Sequence, residues 1–385
     1  MKEIYCDNSA TTKVYPEVID EMKKYFEQDW GNPSSIYAKG RLVKDKIFEA
    51  KDRIARILNC EPDEIYFTSG GSESDNLFIK GCFKENSCII TSEIEHPAVL
   101  NACKSLHLLG CLQITLKVNK DGIIDLDFLE GIKDLIKKEK PIYASIMLVN
   151  NETGMIQPIT KIAKKLKELV PNIIIHTDAV QAVGKVKLDV KELGVDAMSL
   201  SGHKFGAPKG IGIFYLKEGI KCKPLIDGGG QENGLRSGTE NVPYIMGITK
   251  ALEMTYSNFN RKTDDLEMFD RFFIRRILEE IPEAELNTSI AHRAAGVINL
   301  RFRGINAQNL LLYLDHYNIY VSAGSACHSD SDTPSHVLTA MGISEQDALS
   351  SLRFSFKEPI SPSDIDYIIK ILKKGIEKQI MYEFI

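Results

Sequence analysis

Between Glu64 and Leu216 the chain repeats one arrangement: an apolar run of strand length, then a stretch whose apolar residues recur at helical spacing. "EIYFTSG" (Glu64 to Gly70) leads into "SESDNLFIKGCF", "SCIITS" into "HPAVLNACKSLHLLG", and "IYASIMLVN" into "ITKIAKKLKELV". "NIIIHTDA", "AMSLSG" and "GIGIFYL" continue the series. Strands that are apolar along their whole length have both faces buried. With helices between them they predict an α/β fold built on a mainly parallel sheet covered on both sides. Ligands of such sheets collect beyond the carboxyl ends of the strands. The residues just after each apolar run are therefore the ones to read for chemistry.

With 385 residues and 43% hydrophobic content the chain can build more than one core. "LIDGGGQENGLRSGTENVP" (Leu225 to Pro243) reads as a long functional loop. A charged helical stretch, Met254 to Glu280, follows it. After that, "GVINLRF", "GINAQNLLLYLDHYN", "IYVSAGSAC" and "SPSDIDYIIKILKKGIEK" read as a second, smaller α+β unit. The expected division is a large domain over 15–257 and a small one made of 1–14 with 258–385, with a boundary near Asn258. A net charge of −5 makes nucleic acid a poor fit as a direct partner. The N-terminus lacks a signal-like apolar run, and no apolar stretch reaches the roughly 20 residues of a membrane span. A soluble cytoplasmic protein is expected. The eight cysteines include no C-x-x-C and no His cluster stands at ligand spacing, so no metal site and no disulfide framework is expected.

The strand ends carry the chemistry. "SLSGHKFGAPKGIG" puts Ser201, His203 and Lys204 directly after a strand. Lys204 is either a solvated loop lysine or, in a closed pocket, an amine able to attack a carbonyl. Asp178 ends another strand in "IIIHTDAVQAVGK", with Gln181 close behind. It can cap a helix or hold a protonated ring nitrogen. Pyridoxal phosphate needs that Lys and Asp pair, a Schiff-base partner and an acid facing the pyridinium. "FTSGGSESDN" runs strand, tight turn, helix. Gly70 and Gly71 admit a phosphate to the helix N-terminus, and Ser72 adds a hydroxyl. His96, in "SEIEHPAVL", can stack on a ring or cap a helix, and Asn150 and Asn151 end the strand before "ETG". Arg353, in the apolar "SSLRFSF", either pairs with an internal acid or reads a ligand carboxylate. Cys327 stands apart from all of these. It lies in "VSAGSACHSDSDTPSHVL" (Val321 to Leu338), among small polar residues rather than core residues.

Taken in order, "YCDNSATT", "GNPSS", "FTSGGSESDN", "EHPAVL", "VNNETG", "TDAVQAVGK", "SGHKFGAPKGIG", "GGGQENGLRSGTENV", "SAGSAC" and "LRFSF" resemble the cysteine desulfurases of the pyridoxal-dependent class V aminotransferase family. The likeness runs nearly the whole chain. It implies the type I fold of pyridoxal-phosphate-dependent transferases: a large domain on a mainly parallel seven-stranded sheet and a smaller α+β domain. It also implies roles. Lys204 is the Schiff-base lysine, Asp178 faces the pyridine nitrogen, His96 stacks on the ring and Gln181 contacts the ring hydroxyl. Gly71, Ser72, Ser201 and His203 hold the phosphate. Thr239 reaches the phosphate of a neighbouring subunit, which implies a homodimer. Asn151 and Arg353 bind the carboxylate of L-cysteine.

Cys327 matches the family's nucleophile, on a loop spanning about 322–337. Its thiolate attacks the substrate sulfur, leaving L-alanine and a persulfide that passes to an acceptor. A loop of small residues suits a group that must serve both the pocket and the outside. The loop resembles the family's long type, which implies a role in iron–sulfur cluster assembly or transfer-RNA thiolation. The chain departs from its relatives at Tyr37, where His is frequent, at His328 beside the nucleophile, and at Gly71-Ser72, where Ala-Thr is common. A selenocysteine lyase shares the cofactor and fold but has little need of Cys327. A non-enzymatic sulfur-transfer scaffold would not need Lys204, Asp178 and Arg353 together.

Overall fold

In the computed structural model of the chain, residues 2–85, 87–139, 142–324 and 333–383 are described. Twelve strands are found among them. They are β1 (Ile4–Tyr5), β2 (Ile65–Thr68), β3 (Cys88–Ser92), β4 (Leu112–Leu116), β5 (Tyr143–Ser145) and β6 (Ile174–Asp178), then β7 (Ala197–Ser201), β8 (Gly212–Leu216), β9 (Ala284–Leu286), β10 (Val297–Phe302), β11 (Ile319–Tyr320) and β12 (Ser351–Ser355). Seven form one sheet in the order β2-β8-β7-β6-β5-β3-β4. Strands β3 to β7 are mutually parallel, whereas β8 runs antiparallel to both β7 and β2. The fold is α/β, with the mainly parallel seven-stranded sheet that was expected.

The apolar runs reflect burial. Every residue of β3, β7 and β8 is buried, because helices cover both faces of the sheet. In the Ala38–Leu58 helix, Val43, Ile47, Ala50, Ile54 and Leu58 recur every three or four residues and form its buried stripe. That helix and Pro16–Glu27 pack on Val242–Tyr256 against the sheet. Strand β4 has no counterpart among the apolar runs of the sequence. It is the sheet's edge, its burial alternates, and it lacks the continuous apolar run of its neighbours. "IYASIMLVN" is a strand only over Tyr143–Ser145. Beyond it the Met147 amide leaves the ladder for the Glu95 carboxylate, and Asn150 caps a turn. The charged stretch expected over Met254 to Glu280 is two helices, Val242–Tyr256 and Phe259–Glu280. They part at Asn258, whose φ of 57° lies in the left-handed region.

A second core gathers the sheet β12-β10-β9 and the β1–β11 pair under the helices Phe259–Glu280, Ala307–His316 and Pro362–Glu383. Ile4 and Cys6 belong to this core, through β1 beside β11 and the Cys6 amide on the Tyr320 carbonyl at 2.8 Å. A few residues later the chain joins the large sheet. The Thr12 amide binds the His203 carbonyl at 2.8 Å and the Tyr15 amide binds the Gly206 carbonyl at 3.1 Å. The segment 7–12 thus crosses between the cores directly beside Lys204. Among the described residues, no helix is long and apolar enough to cross a membrane.

Candidate active site

A cavity of about 240 Å³ opens at the carboxyl ends of the parallel strands. Gly71, Ser72, His96, Asn151, Asp178, Gln181, Ser201, His203, Lys204 and Arg353 all line it, with Ser9, Ala10, Asp75, Met147, Val149 and Val180. Residues scattered over nearly the whole chain therefore meet in one space. Most arrive where a strand of the large sheet ends and the chain turns into the opening, whereas Arg353 comes from the middle of β12 in the smaller sheet.

Lys204 closes a short 3-10 turn after β7. Its Nζ donates to the carbonyls of Ser9 and Ala10 at 2.6 and 2.8 Å. Asp178 is the last residue of β6, 6% exposed, and its Oδ1 accepts the Val180 amide at 2.9 Å. Burial lifts its carboxyl from 3.8 to about 6, opposed by that amide and by the charge of Lys204. His96 is the N-cap of the Pro97–His107 helix. Its Nδ1 accepts the Ala98 amide at 3.1 Å, which leaves the ring proton on Nε2. His96 therefore caps its helix and lines the cavity at once. Gln181 donates from Nε2 to the Ser9 carbonyl at 2.9 Å and accepts from Lys185 at 3.0 Å. The His203 Nδ1 lies 3.2 Å from the Thr11 hydroxyl, and burial plus the nearby lysines lower its imidazole to about 4.

The two asparagines separate in role. Asn150 is buried, its Oδ1 accepting the amides of Glu152 and Thr153, so it builds the turn. Asn151 lines the cavity, and its carbonyl receives Nη1 of Arg353 at 2.9 Å. Nη2 of Arg353 bonds Asp7 at 2.7 Å, and its buried Nε has no hydrogen-bond partner. Arg353 is both paired with an internal acid and placed on the cavity wall. Asp7, Ser9 and Ala10 were not singled out in the sequence reading. Their only signal was the "DNSATT" segment, which carries no chemical pattern of its own.

Thr239 is not in this cavity. It lines a second one of about 260 Å³ with Thr68, Ser69, Arg236 and Glu240. Cys327 and His328 lie outside the described residues. The chain beyond them is anchored close by: Ser335 donates to Glu152 at 2.5 Å, and the His336 Nε2 lies 3.0 Å from the Glu95 carbonyl.

The residues fit a phosphorylated pyridine. The Gly71–Gly81 helix starts without a side-chain cap, so its first amides face the opening. A Cβ on Gly71 would stand 2.6 Å from the Val180 side chain, so the turn packs closely on the segment that follows β6. Two carboxyl groups, Asp178 and Asp75, and one primary amine, Lys204, line the space, and Asp178 with Lys204 is the donor set that a protonated ring nitrogen and a Schiff base require.

The Aminotransferase class-V family matches residues 4–368. The chain is 42% identical over 384 residues to Cysteine desulfurase IscS of Clostridium botulinum, covering 98% of this chain and 95% of that relative. It is 43% identical to Cysteine desulfurase IscS of Methanosarcina thermophila, covering 98% and 93%. Among solved structures, a NifS-like protein superposes with a TM-score of 0.89 at 33% identity over the whole of both chains. SspA in complex with cysteine superposes at 0.80 with 34% identity, covering 94% of this chain and all of that one.

Proposed function

The chain belongs to the class-V aminotransferases and is a pyridoxal-phosphate-dependent cysteine desulfurase; from that premise we propose which residues do the work. One observation carries the assignment: Lys204, Asp178, His96, Gln181, Asn151 and Arg353 come from five separate stretches to one cavity. Lys204 would hold the cofactor covalently, Asp178 its ring nitrogen, Gln181 its ring hydroxyl and His96 its face. Gly71, Ser72, Ser201 and His203 would hold its phosphate.

Bound there, pyridoxal phosphate supplies an electron sink for bond breaking next to the substrate amine. The protein supplies the rest. Arg353 and Asn151 orient the carboxylate of L-cysteine. The Lys204 amine takes the Cα proton and later returns one. His96, whose Nδ1 is occupied by the Ala98 amide, exchanges its proton at Nε2. The Cys327 thiolate attacks the substrate sulfur as the C–S bond breaks. The products are L-alanine and a persulfide on Cys327.

The persulfide passes to a protein acceptor serving iron–sulfur cluster assembly or transfer-RNA thiolation, in the cytoplasm. The protein works as a homodimer, with Thr239 reaching the partner's phosphate site. Two observations support a second copy: Thr239 lies outside its own subunit's cavity, and the large apolar side chains Phe26, Trp30, Ile36, Tyr37 and Phe48 are each exposed. The domains divide at 15–257 against 1–14 with 258–385.

The test is single-turnover mixing with L-cysteine in the absence of reductant, following alanine and protein-bound sulfur by mass spectrometry. One alanine per subunit with one added sulfur on Cys327 is expected. Alanine without that modification would remove Cys327 from the mechanism.

A further inference from the structure

The turn that follows β6 carries a cation that the chemistry above does not use. Lys185 lies four residues after Gln181, and its Nζ donates to the Gln181 Oε1 at 3.0 Å. Among the described residues the half-buried Lys185 forms no ion pair, and Gln181 is the one acceptor of its ammonium. The turn itself holds the two side chains together. The Lys185 amide binds the Ala182 carbonyl at 3.0 Å, and Gly184 bends the chain with a φ of 76°. Tyr256 secures it from the neighbouring helix, its hydroxyl donating to the Val186 carbonyl at 2.9 Å. The charged groups around Lys185 are Lys204, Arg353 and Asp270. Two of them repel it. The acid is engaged elsewhere, with Arg293 at 3.3 Å and the Gly296 amide at 2.8 Å.

Gln181 stands between two partners of opposite kind. An ammonium can only donate, and a backbone carbonyl can only accept. Lys185 therefore takes the amide oxygen, and the Ser9 carbonyl takes the amide nitrogen at 2.9 Å. Turned end for end, the same amide would set donor against donor and acceptor against acceptor. Its oxygen is thus committed to Lys185 and one of its two N–H groups to Ser9. What Gln181 has left for the cavity it lines is a single N–H. A group that can only donate favours an ionised ring oxygen over a protonated one. A cation on the amide oxygen polarises the amide and strengthens that N–H as a donor. Burial, with the charges of Lys204 and Arg353, lowers Lys185 to about 7, so the ammonium dominates below that pH. Above it the neutral amine still has N–H groups to donate but no charge.

We propose that Lys185 is a positioning residue for the ring-hydroxyl end of the cofactor site: it locks Gln181 with an N–H toward the cavity and, through that amide, stabilises an ionised ring oxygen. This role rests on the placement of Gln181 at the ring hydroxyl proposed above. Lys185 itself touches neither cofactor nor substrate in carrying it out.

The experiment is a pH titration of the bound cofactor's absorbance in wild type, Gln181→Leu, Lys185→Met and the double variant. An N–H donor and a nearby cation both disfavour the proton that titrates beside the ring oxygen. Each single variant should therefore move the midpoint upward, by about half a pH unit or more. The double variant should move no further than Gln181→Leu, because Lys185 acts through that amide. If Gln181→Leu shifted the midpoint and Lys185→Met did not, the proposal would fall while the ring-hydroxyl assignment of Gln181 stood. Additive shifts would show that Lys185 acts through space rather than through Gln181, and would also overturn it. An unmoved midpoint in Gln181→Leu would remove the assignment and the proposal together. Should Lys185→Met fail to fold, Lys185→Gln keeps a donor without the charge and should shift the midpoint in the same direction by less. No shift there would overturn the proposal.

Discussion

Replacing Asp178 by Asn should make the cofactor-free protein more stable and its cofactor affinity worse. The carboxyl is fully enclosed, and its rise from 3.8 to about 6 comes chiefly from burial. At about 1.4 kcal/mol per pH unit, that shift is a penalty of about 3 kcal/mol on the folded apoprotein. The sign follows from linkage. Below pH 3.8 the carboxyl is protonated both folded and unfolded, and there is no penalty. The penalty grows between 3.8 and about 6 and is complete above that. Asn has the same shape, keeps an oxygen for the Val180 amide and carries no charge. Apo Asp178→Asn should therefore resist urea better than apo wild type by up to about 3 kcal/mol at pH 8, with the gap closing toward pH 4. The same change removes a charge-assisted hydrogen bond to the ring nitrogen, worth about 1.5–3 kcal/mol, or roughly ten- to hundredfold in Kd. Urea unfolding at both pH values and absorbance titration of the apoprotein with pyridoxal phosphate measure the two effects. An apo variant no more stable than wild type at pH 8 would show that Lys204 already neutralises Asp178. The burial argument would then be wrong.

Three further outcomes are expected. Gly71→Ala puts a Cβ 2.6 Å from a methyl group of the Val180 side chain, which must shift to admit it, so unfolding free energy should fall by about 1–3 kcal/mol in denaturant titration while the cofactor still binds. Arg353→Lys loses the planar fork that holds Asn151 and Asp7 together, so KM for L-cysteine should rise by about tenfold or more while the cofactor stays bound. Asp270→Asn strips the buried Arg293 of its partner at 3.3 Å, where both side chains are almost wholly enclosed. Unfolding free energy should fall by about 3–5 kcal/mol in denaturant titration.

Much of the large sheet was legible because its strands are buried on both faces, so burial wrote continuous apolar runs into β3, β6, β7 and β8. Strand β4 left no such run, because an edge strand covered unevenly needs only alternate apolar residues. The strand ends were equally readable as places for chemistry, since a buried strand most readily changes from apolar to functional residues where it leaves the sheet, although Arg353 is a functional residue in the middle of β12. Asp7 and Asp75 were not readable in this way. One is an acid in an N-terminal segment and the other an acid in a helix, and both look like ordinary surface carboxylates until the fold encloses them.

The order of strands and helices, the glycines of the phosphate turn, and the presence of one lysine and one aspartate at strand ends are local properties, and the sequence by itself determined them. Tertiary structure alone decided which of these residues share a space. It brought segment 7–12 from one core to the Lys204 turn of the other, sorted Asn151 from Asn150, kept Thr239 out of the cavity, and put Asp75 in the cavity wall with Asp178. The physical reason is range. Periodicity and turn chemistry act over a few residues, whereas burial, the desolvation of a charge and the supply of its partners depend on segments hundreds of residues apart.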